Sequence, residues 1–227
     1  MNKQKVFGLT FSALALSMSV STLNAAELDI SITNATKGIY FTPILVAAHD
    51  SSLFMFRTGE TASAELEAMA EGGDIAGLSS VITNAGGVVS ENPASGILNP
   101  GATASLTIDT GDLKYLSLSA MLLPTNDGFV GLDSWKIPEQ AGTYKVSLNG
   151  YDAGTEANDE LAGSMPNPPF ITFGSGGTGV ETTVSNNNVH IHPGNIGDDN
   201  ATGGISDLDN SSHRWLNPVA TITIEVK

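Results

Sequence analysis

Stretches in which apolar and polar residues alternate recur along this chain. Residues 28–33, 102–109 and 219–226 each alternate with a period of two, which is typical of a strand with one face in a core and the other in solvent. Residues 39–48 are more uniformly apolar and contain Pro43. Because proline cannot donate to a sheet ladder, this stretch is expected to be an edge segment or a strand that changes partner.

Residues 61–71 instead carry the spacing of an amphipathic helix. Thr61 or Ser63 can cap its start, and the pair Gly72 and Gly73 can end it. Such a short helix needs a sheet to pack on. The stretch that follows, residues 74–100, contains Gly, Ser, Asn and Pro and is expected to be a loop, in which residues 75–82 could form one more helical turn.

Two apolar runs, residues 116–123 and 144–148, each lead into a short acidic loop, residues 125–128 and 151–156. Carboxylates in glycine-containing turns at strand ends are one way to build a calcium site, because hard cations take several oxygens from flexible loops on a rigid scaffold. Asn-Asp-Gly is also a good turn sequence in its own right. The pattern by itself therefore leaves both a cation site and a plain turn open.

The strand count bounds the fold class. Six to eight predicted strands with one or two short helices, no internal repeat and no linker favour a single all-β domain over residues 26–227. Strands of this kind that must bury one face pair into an antiparallel β-sandwich. We therefore predict an antiparallel β-sandwich.

The first 25 residues resemble a bacterial secretory signal peptide. Lys3 and Lys5 precede an apolar stretch at residues 6–20, and Ala25 offers a small residue at the cleavage point. The apolar stretch is shorter than a typical membrane span, although an uncleaved anchor is the alternative. We expect an exported protein, placed in the periplasm, at the cell surface or outside the cell, with no integral membrane segment after residue 25.

Composition narrows the possible partners. The chain has no cysteine, which excludes disulfides and a lipoprotein attachment site. It has 24 acidic and 9 basic residues and a formal net charge of -15, so its surface repels nucleic-acid phosphates. Cations are the natural partners of such a surface, although acidity can also serve solubility alone.

Four blocks of the sequence, residues 41–49, 62–72, 121–133 and 151–155, resemble in order those of the spondin N-terminal domain family, and residues 217–220 are consistent with it. The resemblance implies an eight-stranded antiparallel β-sandwich, similar to calcium-dependent membrane-binding modules. It also implies a Ca²⁺ ion between loops at one end. The expected function is that of an exported adhesion, binding or matrix module, with an unidentified surface glycan, protein or matrix component as partner.

The same resemblance implies the metal ligands. By block matching they fall on Asp127, Asp152 and Glu156, and Asp133 lies in a matching block and is included as a further candidate. Glu156 stands where animal members have Asp, which keeps the carboxylate but extends it by one methylene. Gly128 stands where they have Trp, so an aromatic contact at that loop tip is not expected here.

Three other clusters bear on function. The GxGxxG pattern at residues 174–179 is followed by a β-like stretch rather than a helix, which argues against a nucleotide loop. His190 and His192 project from one face of a strand and could pair on a transition metal, or could be ordinary polar-face residues. The acidic stretch 198–209 lacks EF-hand spacing, so it is either a solvated loop or a second calcium site.

No hydrolase motif is present, and we expect no enzymatic activity. Two alternatives remain open. Asp127 and Asp152 could act as the paired carboxylates of a carbohydrate-active enzyme. The chain could also be a self-assembling matrix or fibre subunit, if the strands at residues 28–33 and 219–226 expose their edges.

Overall fold

The structure is a computed structural model that describes residues 26–166, 187–200 and 203–227. The predicted signal peptide at residues 1–25 and the GxGxxG pattern at residues 174–179 lie outside the described residues. The described residues form one antiparallel sheet of ten strands. The strands are β1 (Glu27–Asn34), β2 (Tyr40–Phe41), β3 (Leu45–His49), β4 (Val88–Glu91), β5 (Thr103–Asp109), β6 (Tyr115–Leu123), β7 (Gly128–Lys136), β8 (Gly142–Asp152), β9 (His190–Ile191) and β10 (Ala220–Val226).

Two short helices, α1 (Ala64–Gly72) and α2 (Ala76–Asn84), lie between β3 and β4. Ser63 caps α1 by accepting a hydrogen bond from the Leu66 N–H at 3.2 Å, and Gly73, in the left-handed region at φ 70°, ends it. Of the two caps that the sequence offered, Ser63 is the one used and Thr61 is not, so the helix begins at Ala64 and not at residue 61. No helix among the described residues has both the length and the apolar character to cross a membrane.

Strand order explains how the sheet encloses a core. Eight strands follow the path β4, β3, β6, β7, β8, β10, β1, β5, while β2 pairs with β6 and β9 pairs with β8. The long strand β8 belongs to both halves of the sheet. Its first residues pair with β10, from Gly142 opposite Val226 to Leu148 opposite Ala220, and its last residues pair with β7.

The predicted all-β antiparallel fold with two short helices is therefore confirmed, and the main path has the eight strands that the resemblance implies. The arrangement differs from two separate layers. Because β8 continues from one half into the other, the strands form a single sheet. The sheet is nearly closed and barrel-like, since its two end strands, β4 and β5, approach each other. One strand can join the two halves because its first residues form hydrogen bonds with β10 and its last residues form them with β7.

The core fills the inside of this sheet. Alternate residues of β1 and β10 point inward and are fully buried, including Ile30, Ile32 and Ile222, as their period of two predicts. A second apolar cluster lies on the outside of β3, β6 and β7, where α1 and α2 cover it. Leu66 and Met69 on α1 face this cluster, so the helix packs on the sheet as expected.

One expectation about strand edges was wrong. The strands at residues 28–33 and 219–226 were candidates for exposed edges, but both are central. β1 is paired on one side with β10 and on the other with β5, and β10 is also paired with β8. The ends of the strand order are instead β4 and β5.

Candidate functional site

The pairing of β7 with β8 brings the two acidic loops together. Gly128, the first residue of β7, lies opposite Asp152, the last residue of β8. The Ala153 N–H donates to the Asp127 carbonyl at 3.3 Å. Asp127 and Asp152 are therefore neighbours at one end of the sheet.

All three acids of the predicted ligand set in these loops are buried. Asp127, Asp152 and Glu156 are 0%, 2% and 3% exposed. Buried carboxylates are costly unless hydrogen-bonded or paired with a cation. Their partners therefore decide what the site can do.

Asp127 is held by the backbone of the second loop. Its Oδ2 accepts hydrogen bonds from the Thr155 N–H at 2.8 Å, from the Thr155 hydroxyl at 3.3 Å and from the Glu156 N–H at 3.1 Å. Its Oδ1 is buried and has no hydrogen-bond partner among the described residues. One oxygen thus fixes the loop geometry and the other is left for a further partner.

The charge state of Asp127 reflects this environment. Burial, reinforced by the nearby Asp152 carboxylate, raises the pKa of Asp127 to about 6, while the hydrogen bonds from Thr155 and Glu156 act in the opposite direction. A cation beside both carboxylates would remove the repulsion between them. The site is therefore one of unbalanced negative charge.

Asp152 is oriented by its own loop. Its Oδ1 accepts a hydrogen bond from the Gly154 N–H at 2.8 Å, and its Oδ2 accepts one from the Asn158 side-chain amide at 2.6 Å. Thr155 and Asn158 are the residues here that sequence reasoning missed. The one available signal was their position in or just after the acidic loop, because Ser, Thr and Asn in such loops commonly bond to nearby carboxylates and backbone.

The turn before β7 is closed tightly. The Thr125 hydroxyl donates to the Leu122 carbonyl at 2.6 Å and accepts from the Gly128 N–H at 3.1 Å. A Cβ on Gly128 would lie 2.7 Å from Thr125 Oγ1 and 3.1 Å from His192 Cδ2. A bulky residue such as the Trp of animal spondin domains therefore cannot occupy this position without rearrangement.

The donor chemistry fits a hard cation, since every candidate ligand is an oxygen and one buried carboxylate oxygen lacks a partner among the described residues. The side chains as placed do not yet form a coordination shell. Within the described ranges, no three His, Asp or Glu side chains are arranged so that they could hold a metal ion. Ligation of a metal ion by these acids would therefore require their side chains to rearrange.

Asp133 lies apart from these loops. It is five residues beyond Gly128 on β7, which at 3.3 Å per residue places it about 16 Å along the strand. The register of β6 and β7 is irregular there, and the next residue, Ser134, has a φ of 47°. The structure therefore places Asp133 in a bulge and does not bring it to Asp127.

His190 is the first residue of β9 and His192 directly follows that strand, and the two histidines have different partners. His190 Nε2 lies 3.6 Å from Asp152 Oδ2, and its Nδ1 lies 2.8 Å from the Asn188 carbonyl, to which it donates. His192 is buried, its Nδ1 accepts from the Gly194 N–H at 2.9 Å, and burial lowers its pKa to about 4. In that neutral tautomer Nε2 carries the proton, so His192 does not offer Nε2 as a metal ligand.

The acidic residues of the stretch 198–209, namely Asp198, Asp199, Asp207 and Asp209, line a separate concavity of about 440 Å³. Asp198 is satisfied by its own loop, since its carboxylate accepts hydrogen bonds from the N–H groups of Asn200, Ile205 and Ser206. These bonds lower the pKa of Asp198. The geometry is that of a self-organised acidic loop.

A family model described as Spondin_N matches residues 33–169 of the chain. The match includes both acidic loops and ends before β9 and β10. No curated protein matches the chain.

Proposed function

Because the chain belongs to the spondin N-terminal domain family, we propose that it is an extracellular binding or adhesion module whose loop end binds calcium. Asp127, Asp152 and Glu156 supply the negative charge. Backbone carbonyls and water complete the oxygen shell that Ca²⁺ prefers. The observation that carries the proposal is the buried Asp127 Oδ1, which has no partner among the described residues and adjoins a second buried carboxylate.

The energetics support a bound cation. Burial, and after it the neighbouring Asp152 carboxylate, raises the pKa of Asp127 to about 6, so the ionised form of Asp127 is unfavourable here without a positive charge nearby. A divalent ion neutralises both acids at once and ties the loop after β6 to the loop after β8. Calcium would therefore stabilise the fold, since it binds the native state and not the unfolded chain.

The accessibility of the acids supports a binding role over glycoside hydrolysis. A raised pKa is what the carbohydrate-active alternative requires of one carboxyl group. Asp127 and Asp152 are, however, almost completely buried, so the oxygen of a glycosidic bond has no access to them. A partner glycan, protein or matrix component would contact the loop surface around the ion, and these two acids would contact only the ion.

Thermal unfolding in calcium and in chelator tests the proposal. At a free calcium concentration about one hundred times the dissociation constant, a single site adds about 2.7 kcal/mol, which raises the Tm by about 5–10 °C for a domain of this size. Asp133→Asn is the matched control because Asp133 carries the same charge far from the loops, and its response to calcium should equal that of the wild type. Identical melting of the wild type in both conditions would exclude the site.

A further inference from the structure

The outer edge of β5 is unpaired. β5 pairs with β1 along its whole length, from Thr103 opposite Thr33 to Asp109 opposite Glu27. It is the last strand of the order, and β4, at the other end, approaches it without forming a ladder. Within the described part of the chain no other backbone group hydrogen-bonds to β5. Alternate N–H and C=O groups of β5 therefore point away from β1 without a backbone partner.

The sequence of β5 lacks the residues that most often prevent strand pairing at a sheet edge. Natural edge strands are blunted by proline, lysine, a bulge or short length. β5 has seven residues, TASLTID, with neither proline nor lysine, and its register with β1 is unbroken. β4 has only four residues. β5 is thus the better docking strand of the two.

We propose that two copies of the chain associate reversibly by antiparallel pairing of β5 with β5 of the second copy. The two-fold axis would pass through Leu106, so that Ser105 faces Thr107 of the other copy. Asp109 would then face Thr103. The pairing continues the sheet from one copy into the next, and it stands independently of the calcium site.

The sequence of β5 is self-complementary in this register. On the inner face Ala104 would meet Ile108, and Leu106, which is only half-buried in the single copy, would meet its own counterpart. On the outer face Ser105 would meet Thr107, and Thr103 would meet Asp109, whose carboxylate can accept a hydrogen bond from the threonine hydroxyl. No position places like charges opposite one another, the arrangement that most disfavours cross-strand pairs.

The size and charge of the contact predict weak association. Stable interfaces bury about 1,200–2,000 Å², and one pair of seven-residue strands spans only about 23 Å. Each copy also carries a formal net charge of -15, so the two copies repel each other at low ionic strength. We expect a dimer that forms at high protein concentration and strengthens as salt is added.

Sedimentation velocity over a concentration series of the purified chain tests the proposal. The double substitution Ser105→Lys with Thr107→Lys places lysines opposite each other twice across the dimer. It should raise the dissociation constant of the dimer about tenfold or more. The matched variant, Ser105→Glu with Thr107→Lys, differs from the Lys/Lys variant only at position 105. It places Glu opposite Lys twice across the dimer, and should therefore associate more tightly than the Lys/Lys variant. Both variants lose the hydrogen bond that the Thr107 hydroxyl donates to the Asp29 carboxylate at 2.6 Å, so this local change does not distinguish them.

A control pair on a central strand separates edge pairing from a general charge effect. Thr221→Lys with Thr223→Lys adds the same charge to the outer face of β10, which is paired on both sides, and should associate like the wild type. Thermal melting confirms that each variant is folded. A wild type that stays monomeric at every concentration and salt would overturn the proposal. So would a Lys/Lys variant that associates normally, or a folded Glu/Lys variant that associates no better than Lys/Lys.

Discussion

Replacing Asp127 with asparagine should have opposite effects with and without calcium. The pKa of Asp127 is raised from 3.8 to about 6 by burial and by Asp152. At about 1.4 kcal/mol per unit, the ionised carboxylate costs the folded state about 3 kcal/mol at pH 7. An asparagine oxygen can still accept the hydrogen bonds from Thr155 and Glu156, so Asp127→Asn removes the charge and keeps the loop.

The pH dependence of this penalty has a definite sign. Because the folded-state pKa lies above the unfolded value, the penalty is absent below about pH 4 and grows as the pH rises to about 7. In chelator at pH 7, Asp127→Asn should therefore melt higher than the wild type. The new side-chain amide N–H takes the place of Oδ1, which has no partner among the described residues. A buried donor without a hydrogen bond costs free energy, so the net stabilisation falls to about 2 kcal/mol, or a rise in Tm of about 4–8 °C.

Differential scanning calorimetry in chelator from pH 4 to pH 7, repeated at pH 7 in calcium, measures both effects. The advantage of Asp127→Asn in chelator should shrink toward pH 4, and in calcium the wild type should be the more stable protein because it keeps the ligand. If Asp127→Asn is less stable than the wild type in chelator at pH 7, the ionised Asp127 carboxylate does not destabilise the folded state, and the prediction is wrong.

Three further changes test other parts of the structure. His192→Gln should make the protein more resistant to acid, because burial lowers the pKa of His192 to about 4. The wild type therefore loses stability as the pH falls from about 6.5 to 4, and the variant does not. At pH 4 the free energy of unfolding should differ between the two proteins by about 2–3 kcal/mol, which urea unfolding measures. Gly150→Ala should destabilise the fold by about 1–3 kcal/mol in the same assay, since its Cβ would lie 2.6 Å from Trp215 Cη2. Ser63→Ala should cost about 1 kcal/mol through loss of the α1 cap, detected as a lower melting temperature.

Strands with one wet face were predictable and strands with two buried faces were not. β1 and β10 alternate strictly, and their predicted bounds agree with the structure to within a residue. β7 was not predicted, because its first five residues are all buried. One face of the strand contacts the core inside the sheet and the other contacts the cluster under the helices, so apolar and polar residues do not alternate. The end of β8, Tyr151 and Asp152, was likewise assigned to a loop, because Gly150 hides the strand pattern.

The candidate site shows the same limit. The resemblance to the spondin N-terminal domain family implied that Asp127 and Asp152 lie in neighbouring loops, and the ladder between Gly128 and Asp152 does bring them together. It could not show that Asp127 shares its hydrogen bonds with the Thr155 backbone, because the contact joins residues 28 positions apart. Nor could it separate Asp133 from the others, since its distance from the loops depends on β7 being a continuous strand.

Calcium titration calorimetry on the wild type and on the Asp127→Asn, Asp152→Asn double variant is the decisive measurement for the proposed calcium site. We expect one site in the wild type and none in the variant, while Asp133→Asn binds like the wild type. Binding that survives in the double variant would move the ion away from these loops, for instance to the acidic stretch at residues 198–209. A wild type that binds no calcium would contradict the proposed function.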